Sequence, residues 1–307
     1  MTTLAERLEG AIWGHLVGDA LGVPYEFGPP RRAETVAWGH VGTHSQPPGT
    51  WSDDGGLMLA LLDSLLSAGF DLEDQGRRSL AWRDGDAYRP GHRFDIGGTT
   101  NGALSRLKAG TPAARSGGAG ESENGNGSLM RILPLALVRR EVGNAELVAE
   151  AMMASAVTHA HIRSRLVCAL YSLVVRQLLR ETPPAEALAA SIDALARLTA
   201  PVDQSELELV LGFQERSGSI YVVDSFWSAW DAFAGSTDYR QTVTRAIAYG
   251  ADTDTTACVA GGLAGLRWGI ASIPLEWQDG MRGQSIVQPL VARLIASLGT
   301  DSLRQHH

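Results

Sequence analysis

A single lysine, Lys108, occurs in a chain of 307 residues, and the remaining positive charge is scattered arginine. With a formal net charge of −8 and no basic stripe, the chain lacks the footprint of a nucleic-acid binder, so nucleic acid is not an expected partner. Cysteine is nearly absent as well. Cys168 and Cys258 both lie in apolar stretches, which excludes a disulfide framework and suits a reducing cytoplasm. The N-terminus MTTLAERLEG has neither a basic n-region nor an apolar h-region, so secretion is not expected. No apolar run approaches the ~18 residues of a membrane span, and neither internal repeats nor strand-type alternation stand out. The terminal QHH is too short to argue a metal tract. If the ligand is anionic, it must be attracted locally, by bound metal or by backbone N–H groups.

Helical periodicity is what the chain has in quantity. The run from Leu4 to Leu21 keeps apolar residues on one face, and it carries Gly14, Gly18 and Gly22 four apart, a stripe that lets another helix approach closely. Further helices are expected near 57–69, 73–86, 99–110, 128–141, 144–157, 161–181, 184–198, 203–215, 223–234, 238–249, 254–269 and 286–299. Pro183-Pro184 and Pro201 mark helix starts or breaks. Three irregular stretches interrupt the pattern: 27–56, 88–98 and the Gly/Ser-rich segment Thr111–Ser128. Loops of this length within a compact unit are functional or disordered. The expectation is one all-α domain spanning 1–307.

Two acidic motifs enter helices at opposite ends of the chain. GTWSDDGG presents Ser52, Asp53 and Asp54; GADTDTTACVAGGLAG presents Asp252, Asp254, Thr255 and Thr256. Each alone reads as helix capping, where Ser and Asp are favoured and a carboxylate suits the dipole. Together they offer hard oxygen ligands of the kind Mg²⁺ and Mn²⁺ take. Four aspartates brought together without cations would repel one another and raise one another's pKa. The sequence does not say that they meet. Between them, Glu26 follows the first helix as a candidate general base, and Asp95 precedes the Gly97-Gly98 turn. Asn124, Gly125, Asn126, Gly127 and Ser128 form a Gly/Asn turn at an expected helix N-terminus, where N–H groups suit a phosphate. His159 and His161 lack the i, i+4 spacing of a helical zinc site and read as a helix entrance lining or packing against a pocket.

The segments GAIWGHLVGDALGVPYE, WSDDGGLML, FDIGGTT, GNGSLMRILPLAL, THAHIRS, SGSIYVVDSFWSAWDAF and AYGADTDTTACVAGGLAG occur in the order found in the ADP-ribosylglycohydrolase family, which the chain resembles from about residue 8 to about residue 290. The resemblance implies an orthogonal all-α bundle with two divalent cations, Mg²⁺ or Mn²⁺, at the floor of a cleft. It implies metal ligation by Ser52, Asp53, Asp54, Asp252, Asp254 and Thr255, with Asp254 bridging, and a catalytic role for Glu26 or Asp95. Residues 124–128 would cradle the diphosphate and distal ribose, and His159 would line the cleft. The implied activity is hydrolysis at C1″ of ADP-ribose on a modified acceptor, arginine before serine or nucleic acid, by a cytoplasmic monomer. The alternative is a catalytically silent ADP-ribose binder. Asp-x-Asp-x-Thr also matches haloacid-dehalogenase-like phosphatases, but here the motif comes late, follows no β-branched run, and the single lysine lies upstream of it. Two positions depart from the family pattern: Gly55 stands where Thr is usual, expected to loosen the loop, and Ala251 stands where Gly is frequent.

Overall fold

Small residues set how the first helix packs. The computed structural model describes residues 2–304, with backbone alone beyond residue 299; the terminal QHH lies outside the described residues. Its α-helices are α1 (Leu4–Gly22), α2 (Asp53–Ala68), α3 (Leu72–Asp84), α4 (Gly98–Lys108), α5 (Leu133–Val138), α6 (Asn144–Ala156), α7 (Ile162–Leu179), α8 (Pro184–Leu198), α9 (Gln204–Leu211), α10 (Val222–Ala234), α11 (Tyr239–Ala248), α12 (Thr253–Trp268), α13 (Leu275–Asp279) and α14 (Gln284–Arg304). There is no strand among the described residues. Three isolated bridges, Gly28–Ala251, Gly118–His159 and Gly125–Tyr221, tie loops together instead.

Both α1 and α12 are buried on nearly every side, as expected of a helix at the centre of a core. They meet backbone to backbone. A Cβ added at Gly14 would lie 2.4 Å from Gly261 O, one at Gly18 2.3 Å from Ala257 O, and one at Gly22 2.5 Å from Asp254 Cα. Gly10 and Gly265 extend the seam by one more turn. Across it, Thr253 Oγ1 donates to Gly22 O at 2.8 Å, and from α11 Tyr239 Oη donates to Gly14 O at 2.6 Å. Most buried apolar residues of the other helices, those of α4 excepted, join one continuous cluster around this pair. No helix among the described residues is long and apolar enough to cross a membrane.

The helix expected at 128–141 is shorter, running only from Leu133 to Val138. Residues 126–132 close turns instead, with Met130 N donating to Asn126 O and Ile132 N to Leu129 O. Pro134, suited to a first helical turn, starts the helix there. The Asn–Gly segment therefore does not sit at a helix N-terminus. Helix α13 was not anticipated, because five residues carry too little periodicity to register.

Candidate active site

The two acidic motifs converge. Asp53, Asp54, Asp252 and Thr255 line one cavity of about 510 Å³, together with Glu26, Asp95, the segment Asn124–Gly127, Met130 and His159. The seam of small residues is what makes this possible: Gly22 at the end of α1 lies against Asp254 at the start of α12, so nothing bulky separates the acidic helix entrances.

At the entrance of α2 the capping is done by Ser52, whose Oγ accepts from Asp54 N at 3.3 Å and donates to Asp54 Oδ2 at 3.1 Å. Below it lies a residue that the sequence reading missed. Asp19, fully buried on α1, accepts Ser52 N on both oxygens (2.9 and 3.1 Å) and Gly55 N at 2.7 Å. Three backbone bonds to one carboxylate fix the turn that presents Asp53 and Asp54. The spacing of Asp19 four residues after His15 and just before Gly22 carried no signal of this. Cys258, expected in apolar surroundings, donates from Sγ to Asp54 Oδ1 at 3.0 Å.

At the entrance of α12 the capping explanation fails. Asp252 occupies the N-cap but makes no capping bond; its Oδ2 instead accepts Asn126 Nδ2 at 2.7 Å. Asp254 accepts Thr255 N on Oδ1, while its Oδ2 is buried without a hydrogen-bond partner. A buried, unpartnered carboxylate oxygen is costly unless something else satisfies it. Glu26, Asp252 and Asp254 also offer carboxylate oxygens within 4.8 Å of one another.

The electrostatics follow from this crowding. Burial first, then the neighbouring Asp95, Asp252 and Asp54, pushes Glu26 up to about 10. Burial and Asp252 push Asp54 up to about 7. Asp53 and Asp254 are driven well above the carboxylate range by burial and by the surrounding carboxylates. Among the described residues no lysine or arginine lines the cavity to offset this. The donor set, hard oxygens with one orphaned, is one that divalent cations would satisfy.

The other end of the cavity is made of loops and one helix start. Asn124 is spent on its own loop and on the start of α7: Nδ2 donates to Glu121 O at 2.9 Å and meets His161 Nδ1 at 3.0 Å, and Oδ1 accepts Ser164 Oγ at 2.9 Å. Arg131, buried beneath, donates to Gly127 O at 2.5 Å and Ala154 O at 3.0 Å. Gly127 passes so close to His159 that a Cβ would lie 2.8 Å from the ring. His159 lines the cavity as expected, and burial lowers its pKa to about 3, so the ring there is neutral. Ser128 does not line the cavity. It is fully buried, and its hydroxyl meets Ser155 Oγ at 2.9 Å and Cys168 Sγ at 3.4 Å. The start of α4 also reaches the cavity: Gly97, Gly98, Thr99 and Thr100 line it, and no side chain caps its first turn. Exposed N–H groups of such a turn attract anions.

Comparison with known proteins gives a consistent result. A profile of the family described as ADP-ribosylglycohydrolase matches residues 1–303. The chain is 30% identical to ADP-ribosylarginine hydrolase Tri1 of Pseudomonas putida (strain GB-1), covering 94% of this chain and 78% of that one. It is 28% identical to ADP-ribosyl-[dinitrogen reductase] glycohydrolase of Rhodospirillum rubrum, covering 96% and 98%. A solved structure described as an ADP-ribosylglycohydrolase-related protein complex superposes with a TM-score of 0.80 at 31% identity, covering 96% of this chain and 99% of that one.

Proposed function

The chain belongs to the ADP-ribosylglycohydrolase family, and from that premise we propose that it releases ADP-ribose from modified arginine side chains of proteins, with two divalent cations in the acidic floor. Its membership makes it a hydrolytic enzyme; the acceptor, the metal and the residue roles are our reading. The observation that carries it is the meeting of both acidic motifs on one cavity that also holds an uncapped helix start and a rigid Asn–Gly loop. A cavity of about 510 Å³ is within the range of small-molecule sites.

Ser52, Asp53, Asp54, Asp252, Asp254 and Thr255 would hold the ions. Bound there, Mg²⁺ or Mn²⁺ would supply Lewis acidity and fix the vicinal hydroxyls of the distal ribose. The protein's own groups do the rest. The first turn of α4 and the backbone of residues 124–127 receive the diphosphate, and neutral His159 packs beside them. Breaking the bond at C1″ passes through a transition state with oxocarbenium character, which the surrounding carboxylates favour electrostatically. With cations offsetting the burial and the neighbouring carboxylates that otherwise keep its carboxyl protonated, we assign Glu26 as the group that takes the proton from the attacking water, worth about 10²–10⁴-fold. It is the more buried of the two candidates and the one grouped with Asp252 and Asp254. Single-turnover rates of Glu26→Gln and Asp95→Asn at saturating Mg²⁺ decide between them, the slower variant marking the base.

The test of the whole reading is release of free ADP-ribose, followed by chromatography and mass spectrometry, from arginine-, serine- and nucleic-acid-linked substrates with Mg²⁺, Mn²⁺ or EDTA. The arginine-linked substrate should be turned over with cation and not in EDTA. Asp254→Ala should lose both turnover and the rise in melting temperature that the cation gives the wild type. Near-normal turnover of that variant under chelation would sink the two-metal reading, and turnover of the serine-linked substrate alone would reassign the acceptor.

A further inference from the structure

Glu26 stands in a ring of like charge, and one basic side chain reaches it. His44, on the irregular stretch between α1 and α2, places its Nε2 against Oε2 of Glu26. The residues around it press on the same segment. Thr43 donates from Oγ1 to the backbone carbonyl of Glu26 at 2.6 Å, and from its amide to Pro24 O at 3.3 Å. Gly42 runs so close that a Cβ would lie 1.7 Å from Pro24 O. Gln46 Nε2 closes the turn onto His44 O at 3.0 Å. Residues 42–46 thus form a strap that grips Glu26 by backbone and carboxyl at once.

The imidazole is itself held in place. It lies edge-on to Phe27, with centroids 5.9 Å apart, and tilted against Phe94 at 5.1 Å. Phe27 follows Glu26 with a φ of +59°, and Asp95 follows Phe94 with a φ of +51°. Such left-handed conformations persist where the surroundings over-determine them, often at functional sites. His44 is therefore packed between two strained segments, each carrying one carboxylate of the site. Ligand atoms of Glu26, His44 and Asp95 lie within 4.8 Å of one another.

We propose that His44 is a positioning residue that holds the carboxyl of Glu26 through Nε2, between Asp95 on one side and the Asp252–Asp254 pair on the other. This rests on the assignment of Glu26 made above. A residue acting through Glu26 leaves ground-state binding alone and loses its effect when Glu26 is disabled. His44→Ala should lower kcat on arginine-linked ADP-ribose about tenfold or more with KM within about twofold. His44→Gln, which returns a nitrogen near the same place, should recover most of the loss. The Glu26→Gln/His44→Ala double variant should be no slower than Glu26→Gln alone.

An arm independent of activity reads the contact directly. In ¹⁵N-labelled protein, Glu26→Gln should shift the ring nitrogen resonances of His44. Unmoved resonances would overturn the proposal, and so would additive losses in the double variant or a Gln variant no better than Ala. If the wild type releases no ADP-ribose from any acceptor, the functional reading fails on that result, while the resonance arm still decides the contact.

Discussion

Two residues that depart from the family pattern illustrate how much one backbone angle or one packed ring decides. Ala251 has a φ of +56°, next to Gly250 at +77°, and its amide and carbonyl bond to Gly28 O and Phe27 N. A non-glycine residue held there costs of order 1 kcal/mol, so Ala251→Gly should raise stability by about that much, against a smaller loss from the looser unfolded chain. Urea unfolding measures it, and a destabilised variant would show that the angle is not strained. Gly55 was expected to loosen its loop for want of a hydroxyl. The structure shows otherwise: Ser52 caps the helix and Asp19 anchors the Gly55 amide. A Cβ at residue 55 would lie 2.7 Å from Leu16 Cδ2 and 2.8 Å from Trp51 Cγ. Gly55→Thr should therefore destabilise by about 1–3 kcal/mol through overpacking, read by the same unfolding curves.

Between elements, the seam of α1 and α12 carries the argument. Gly18 faces the Ala257 backbone, where no side-chain rotation can relieve a Cβ at 2.3 Å, so Gly18→Ala must part the helices. It should cost about 3 kcal/mol and weaken cation binding, since parting them moves Asp252 and Asp254 away from Asp53 and Asp54. Gly102→Ala on α4, where the nearest atom to a Cβ is Arg106 Nη1 at 3.6 Å, is the control and should gain about 1 kcal/mol from helix propensity. Calorimetric Mg²⁺ titration of both variants checks this; equal affinities would contradict the seam's role. The α1 half of this contact was legible from the chain, because Gly14, Gly18 and Gly22 four apart are a pattern of spacing. So was the helix start at Pro184, which rests on local chemistry; the start after Asp252 was also expected, although Asp252 makes no capping bond there. The 128–141 segment misled because its apolar run continues through the turns at 126–132, which the apolar pattern alone does not distinguish from helix. Asp19 and His44 escaped because each matters through a partner distant in sequence, and nothing local marks it; the start of α4 was expected, but not its place on the cavity.

At the scale of the molecule, a second polar centre braces the first. Asp63 on α2 accepts from Tyr88 Oη at 2.7 Å, Arg293 Nη1 at 2.7 Å and Ser67 Oγ at 3.1 Å, and it also pairs with Arg78. It thereby joins α2, α3, α14 and the loop after α3. That loop is tied again where Trp51 Nε1 donates to Tyr88 O at 3.0 Å, and it runs on to Asp95. The acidic turn and the Asp95 loop are thus referenced to one external point. Burial alone would raise the pKa of Asp63, but the bonds from Tyr88 and Arg293 and the charge of Arg78 outweigh it and leave it lowered. A lowered carboxylate binds fewer protons folded than unfolded, so its stabilisation is fully present above the unfolded value near ~4 and is lost as pH falls through the folded value. Asp63→Asn cannot titrate. Its melting temperature should fall below that of the wild type by a constant amount from pH 7 down to pH ~5, and the gap should close in more acidic solution as the wild type protonates. Melting curves of both proteins at fixed Mg²⁺ across that range measure the gap. A gap that stays open in acid would mean that Asp63 contributes packing rather than charge, and that the brace on the Asp95 loop is not electrostatic.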